Sequence, residues 1–218
     1  MEKQLVIKKG FEDILKKSSE LMSMHGCSAT SMRGLAKATN MSLAGLYHYF
    51  NSKQELIFII NHKGFSSLLA LAKKIATDKD PKNDRLYRAI QSHIKFFCKN
   101  RADMKVMMFG AHEMNKEHTE RIRDLKESYR KLFNKMVAEF IEKNTGISLG
   151  QIELERKTFL LFGMMNWTFG WYCAKKHGTE DKLINDIYNT FTAGVLGGGS
   201  TNGATKNSRK MHRFVSRS

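Results

Sequence analysis

One proline, Pro81, interrupts 218 residues, and the apolar residues on either side of it recur at helical spacing. Proline removes a backbone donor and clashes with the turn before it, so a chain almost without it can sustain long helices. Apolar residues returning every third or fourth position turn one face of each helix toward a core. No segment reads as a strand. The fold class this predicts is all-α, with about nine helices.

Ile7, Phe11, Ile14, Leu15, Leu21 and Met22 mark a first helix over about 5–25, stopped by Gly26. Two short helices, about 31–38 and 43–49, flank Thr39-Asn40-Met41. A long helix from Lys53 to about 76 carries Ile57, Ile60, Leu68, Leu71 and Ile75 on one face. Asp80 as N-cap and Pro81 in the first turn predict the next helix, about 81–99, which buries Leu86, Ile90, Ile94 and Phe97. A short Met-rich helix over about 101–110 and a long one over about 116–144, ended by Gly146, follow. Ser148 with Gln151 reads as a capping box opening a helix over about 149–176. Thr179, Glu180 and Asp181 start the last helix, about 180–196. Residues 159–174 form the most apolar stretch, too short to span a bilayer, and predict a buried helix.

The net charge of +16 and a pI near 9.8 suit a polyanionic partner. Residues 1–60 contribute only +3 of that charge, so charge alone does not locate the contact. Cys27, Cys98 and Cys173 are scattered and odd in number, with no CxxC pair. That pattern suits a reducing, cytoplasmic setting, and the N-terminus lacks the apolar run of a secretory signal.

The segment that carries chemistry is 29–56, ATSMRGLAKATNMSLAGLYHYFNSKQEL. Thr30 is a natural N-cap that leaves Leu35 and Ala36 facing inward, and Asn40 sits where the turn needs a left-handed residue. Ser42 caps a second short helix that opens with Leu43, Ala44 and Gly45. Small residues there let a helix backbone sink into the major groove, with its first turn against base edges. Tyr47, His48 and Tyr49 offer donors to phosphate oxygens, and Lys53 stands at the start of the long helix, where free N–H groups also favour a phosphate. Two short helices with a tight turn between them and these donors around the second make a helix-turn-helix.

This segment resembles the DNA-binding domain of the TetR family of repressors. Thr30, Ser31, Arg33, Ala36, Ser42, Leu46, Tyr47, Tyr49, Phe50, Ser52, Lys53 and Leu56 carry the resemblance. Departures are Gly34 for the usual acid, Thr39-Asn40-Met41 for Ala-Gly-Val, and Ala44-Gly45 for the common Gly-x pair. The resemblance implies that Thr30, Ser31, Tyr47, His48 and Lys53 hold phosphates while Ser42, Leu43, Ala44 and Gly45 face base edges of double-stranded operator DNA. The domains it implies are a helix-turn-helix over 1–52, a helical ligand-binding and dimerisation domain over 53–196, and a flexible basic tail over 197–218.

The C-terminal segment LLFGMMNWTFGWYCAKKHGTEDKLINDIYNTFTAGV is similar to the last two helices of family members that sense fatty acids or acyl-CoA thioesters. The resemblance implies a homodimer through those two helices. Residues 160–172 are apolar on nearly all sides and so need covering twice, by the domain and by a partner. Thirteen methionines suggest an adaptable lining for a small hydrophobic or acyl-CoA-like effector. The candidates are Phe97, Met104, Met107, Met108, Phe133, Met136, Met165, Trp167 and Phe169, with Phe96 and Phe109 beside them and Lys99, Arg101 and Lys105 for an acidic head. The sequence offers no catalytic residue, cofactor or metal set, since His112-Glu113 and His118 lack zinc-hydrolase spacing and no GxSxG or P-loop occurs. The expected function is a repressor released from a palindromic operator by its effector, with no membrane role. A transcriptional activator, a regulator controlled by a protein partner, or a basic lipid-binding helical protein are the alternatives.

Overall fold

The computed structural model describes residues 2–78 and 84–197, and every regular element among them is helical. In chain order these are α1 (Glu2–His25), α2 (Met32–Thr39), α3 (Leu43–Tyr47), α4 (Lys53–Ala76), α5 (Arg85–Lys99), α6 (Arg101–Phe109), α7 (Lys116–Thr145), α8 (Gln151–Asn166), α9 (Thr168–Trp171), α10 (Ala174–His177) and α11 (Glu180–Gly197), with a 3-10 turn at Ala111–Glu113 between α6 and α7. Nine of them answer to the nine expected. The two extra, α9 and α10, are single turns that break the helix expected over 149–176. The first break is a turn at Trp167; the second comes where the chain leaves helical geometry at Tyr172 and Cys173, both extended, and Arg101 donates to the carbonyls of Phe169 and Tyr172.

Several local expectations change. Ser31, not Thr30, caps α2, accepting from the Gly34 backbone N–H, because Thr30 is buried and its hydroxyl donates to the Gly26 carbonyl at 2.8 Å. Asp84 caps α5, accepting from the N–H of Tyr87, so that helix starts four residues later than expected. Asp80 and Pro81 lie outside the described residues, as does 198–218 of the expected basic tail. No Ser148 capping box forms, since the residue before α8 is Gly150 and makes no side-chain cap. Asn40 is left-handed at φ 57°, and Gly146 ends α7 at φ 70°, both where the sequence places them.

Two cores share α4. The N-terminal one gathers Ile14, Met22, Leu35, Leu46, Phe50 and Ile57, and closes over Val106, Met114 and Ile122 from α6, the segment after it and α7. The larger one packs α4, α5, α7, α8 and α11 around Leu68, Ile90, Phe133, Met165 and Ile184. α4 is long and apolar enough to cross a membrane by length and composition, but it is the shared spine of these cores, with ten of its residues buried.

Candidate DNA interface and effector cavity

α2 and α3 are short because each is fixed at its start by a serine and at its end by the core. Ser42 accepts from the Gly45 N–H at 3.0 Å, and Leu46, one residue further on, is wholly buried. A side chain at Gly45 would meet the Ser42 hydroxyl at 3.1 Å, so this glycine serves the cap as well as the helix face. Both capping serines are exposed, and a hydroxyl that accepts from a backbone N–H still has its own proton to donate. Ala44, Tyr47 and His48 are exposed beside them, Leu43 and Gly45 half-buried. Thr30 stands apart, with its hydroxyl committed inside the fold. Phe50 is core, stacked on Phe11.

Ser52 caps α4, accepting from the Glu55 N–H, and the Glu55 carboxylate reaches back beyond the cap to accept from the backbone and side chain of Asn51. The signal, Ser-Lys-Gln-Glu, is present in the sequence. Lys53, the first residue of the helix, does not reach outward. Its ammonium donates to the carbonyls of Cys27 at 2.8 Å and Ser28 at 3.3 Å and pairs with the Glu113 carboxylate at 3.2 Å. Ser28 also donates to Glu113, and these partners hold the Glu113 carboxyl below the usual range. Glu113 sits in the 3-10 turn just beyond α6, so a group of the C-terminal half grips the first turn of α4. The joint is tight at Gly110, where an added Cβ would lie 2.6 Å from the Val106 carbonyl and 3.1 Å from both Cys27 and Ile57.

A cavity of about 370 Å³ opens among α4, α5, α6, α7 and α8. Phe65, Leu68, Phe97, Met104, Met108 and Phe162 give it apolar walls. Half of its lining residues are polar. On the α7 side are Arg123, Lys126, Glu127 and Arg130. Arg130 is spent on Glu127 and Glu155, whereas Lys126 lies over the Phe65 ring at 4.9 Å and has no carboxylate partner among the described residues. Desolvation pulls the Lys126 ammonium below its ordinary value. His93, Tyr129 and Asn166 also belong to the wall. The His93 Nδ1 lies 2.9 Å from the Tyr129 hydroxyl, and burial lowers the imidazole to about 3, against a small opposing effect from Asn166.

Residues 14–58 match the family described as bacterial regulatory proteins, tetR family, and residues 79–195 match the tetracyclin repressor-like C-terminal domain. The second match alone covers more than half of the chain. This chain belongs to the TetR family of transcription regulators. An HTH-type transcriptional regulator of Haemophilus influenzae that is itself uncharacterized is 31% identical over 86 residues, which are 39% of this chain and 46% of that protein, so the match spans about half of that relative. PfmR of Thermus thermophilus, a TetR-family regulator, superposes with a TM-score of 0.73 at 22% identity over 82% of this chain and 96% of its own. A TetR-family regulator of Bordetella parapertussis gives 0.75 at 21%, over 83% and 92%. AibR, solved in complex with isovaleryl coenzyme A and operator DNA, gives 0.69 at 21%, over 83% and 97%.

Within this TetR framework, three of the nine expected effector residues, Phe97, Met104 and Met108, line the cavity. The other six lie elsewhere. Met107 fills the notch at Gly64 where α6 crosses α4, since a Cβ there would stand 2.3 Å from its sulfur. Phe133, Met136 and Met165 are sealed in the core, Phe169 packs on Phe109, and Trp167 is 64% exposed. Arg101 and Lys105 are likewise used internally, Lys105 donating to the Ser23 carbonyl of α1. His93, Lys126, Tyr129 and Asn166 also line the cavity but were not among the residues expected from the sequence, because they come from α5, α7 and α8, which only the tertiary packing brings together. The expectation of a buried helix over 159–174 also changes: Phe159, Leu160, Trp167 and Trp171 are exposed, and with Ile152 they leave an apolar surface on α8 and α9.

Proposed function

We propose that this TetR-family regulator is a repressor that binds a palindromic operator as a homodimer in the cytoplasm and is released by a small hydrophobic or acyl-type effector. The observation that carries the reading is the path through α6. That helix contributes Met104 and Met108 to the cavity wall, leads into Gly110 wedged against Cys27 and Ile57, and continues to Glu113 on Lys53. A ligand that displaces the methionines shifts the joint that orients α2 and α3. An effector need only favour the released arrangement by a few kcal/mol to empty the operator.

On DNA, Ser31, Tyr47 and His48 hold phosphates, Ser42, Leu43, Ala44 and Gly45 face base edges, and a phosphate replaces Glu113 as partner of Lys53. Thr30 supports the cap from inside. The apolar surface of α8, with Thr190, Gly194 and Gly197 exposed along α11, supports a two-fold bundle of α8 and α11 from each subunit. Two such subunits present their α3 helices about 34–36 Å apart, one turn of B-DNA. AibR, a relative of the same fold solved with an acyl coenzyme A and operator DNA, supports the effector class, and Lys126 is positioned for an anionic end.

Fluorescence anisotropy on a palindrome from the chain's own upstream region, against random DNA, tests the reading. Sequence preference of at least about a thousandfold, loss of affinity in Tyr47→Ala and Lys53→Ala, and release by decanoyl-CoA are expected. Equal affinity for both DNAs would sink it.

A further inference from the structure

We propose that His93 is the polar reader of the effector cavity, its imidazole Nε2–H donating a hydrogen bond to a carbonyl-type oxygen carried within an otherwise apolar effector. The assignment rests on this cavity being the effector site and adds the chemical group the effector must bring.

The imidazole is 2% exposed and packed by rings: Phe97 at 4.1 Å, Tyr129 at 6.1 Å and Phe162 at 6.3 Å between centroids. Its Nδ1 is within hydrogen-bond reach of the Tyr129 hydroxyl, 2.9 Å away. That phenol is itself buried and has Nδ1 as its one hydrogen-bond partner among the described residues, and in the proposed arrangement its proton lies on that bond. A phenol donating to Nδ1 puts the ring proton on Nε2, which then can only donate. Nε2 is buried and has no partner among the described residues, although His93 forms part of the cavity wall. Asn166, also of the wall, lies close enough to the imidazole to raise its pKa against the effect of burial, but no hydrogen bond of good geometry reaches Nε2.

A buried donor without an acceptor is costly and rare in a folded protein. Here the space beside it is a cavity, so a ligand can supply the acceptor. The ring stays neutral across the physiological range, because burial holds its pKa near 3. A neutral N–H among phenylalanines cannot offset the desolvation of a carboxylate, but it matches the oxygen of a ketone, ester or thioester. The walls around the ring, Phe97, Met104, Met108 and Phe162, suit hydrocarbon, and the charged groups lie on the α7 side. An apolar chain interrupted by one carbonyl answers both.

Isothermal titration of the full-length protein with S-ethyl octanethioate and with ethyl octyl sulfide tests this directly. The two probes differ only by the carbonyl, and neither carries coenzyme A. The wild type is expected to bind the thioester at least about tenfold more tightly than the sulfide, since a site built to hydrogen-bond rejects an analogue lacking the partner. His93→Phe, which removes the donor and keeps an aromatic ring, is expected to bring the two affinities within about twofold by losing the thioester advantage alone. His93→Gln keeps a donor and retains part of the preference. Tyr129→Phe releases the tautomer and weakens it. Equal affinities in the wild type, binding of neither probe, or an undiminished preference in His93→Phe would each overturn the assignment. Release of the operator by decanoyl-CoA alongside any of those results would leave the repressor reading standing and remove only the role of His93.

Discussion

In the proposed function, an operator phosphate competes with Glu113 for the ammonium of Lys53. In the free protein the carboxylate holds it at 3.2 Å, with two backbone carbonyls behind. Glu113→Gln weakens that hold without emptying the space, so operator affinity is expected to rise severalfold with little change in fold; an unchanged or lower affinity by anisotropy would remove Glu113 from the switch. Lys53→Ala is expected to reduce the slope of log K against log salt by about one. His93 makes a different prediction at this scale. Its folded-state pKa of about 3 lies below the unfolded value near 6.5, so the unfolded chain takes up the proton first as pH falls. The stabilising effect of the neutral ring is complete above about pH 6.5 and is lost on the way down to about 3. Between about pH 7 and pH 5 the protein is expected to lose about 2 kcal/mol more than His93→Phe does, measured by urea denaturation at each pH. Parallel losses in the two proteins would mean that His93 is not buried neutral.

Elements are decided by their ends and their crossings. The caps at Ser31, Ser42 and Ser52 each follow from a serine placed before a short apolar pattern, and three backbone donors are satisfied as a result. Where α6 meets α1 and α4, no local pattern announces the joint. Gly110 makes it possible, since the nearest atom to an added methyl is a backbone carbonyl that cannot turn aside. Gly110→Ala is therefore expected to cost about 1–3 kcal/mol of stability and to blunt the response of the operator complex to effector. A neutral denaturation midpoint would show that the corner yields. The expected helix over 149–176 fails at a crossing of the same kind. Its apolar pattern runs on, but the carbonyls of Phe169 and Tyr172 find Arg101 instead of the next turn, a partner some 70 residues away that periodicity cannot see.

At the scale of the molecule, α8 and α9 carry a group of exposed apolar residues that the described residues of the subunit leave uncovered. Leu160 is 67% exposed in a helix whose opposite face, at Leu161 and Met165, is fully buried. Leu160→Arg is expected to leave the subunit folded but monomeric by light scattering, and to weaken operator binding by at least about a hundredfold, because each subunit then meets its half-site alone. A dimer that survived this change would place the two-fold interface elsewhere. The charge of +16 favours any polyanion, so only the sequence preference of the dimer, compared at one salt concentration, separates operator binding from general attraction.

The N-terminal reader was legible in the sequence because its signals are local: a serine cap, a left-handed Asn40, a buried Leu46 and exposed donors all fall within 28 consecutive residues. The long helices from α4 onward were legible for the same reason, since periodicity and caps act over a few turns, but the single turns α9 and α10 were not. The cavity was not. Residues from α4 to α8 converge on it, and whether a methionine lines a space or fills it depends on helix crossings, as the contrast between Met108 and Met107 at Gly64 shows. Composition marked out an adaptable, Met-rich domain; only the packing of helices distant in sequence put a histidine, a tyrosine and a lysine with no carboxylate partner among the described residues on the wall of one cavity.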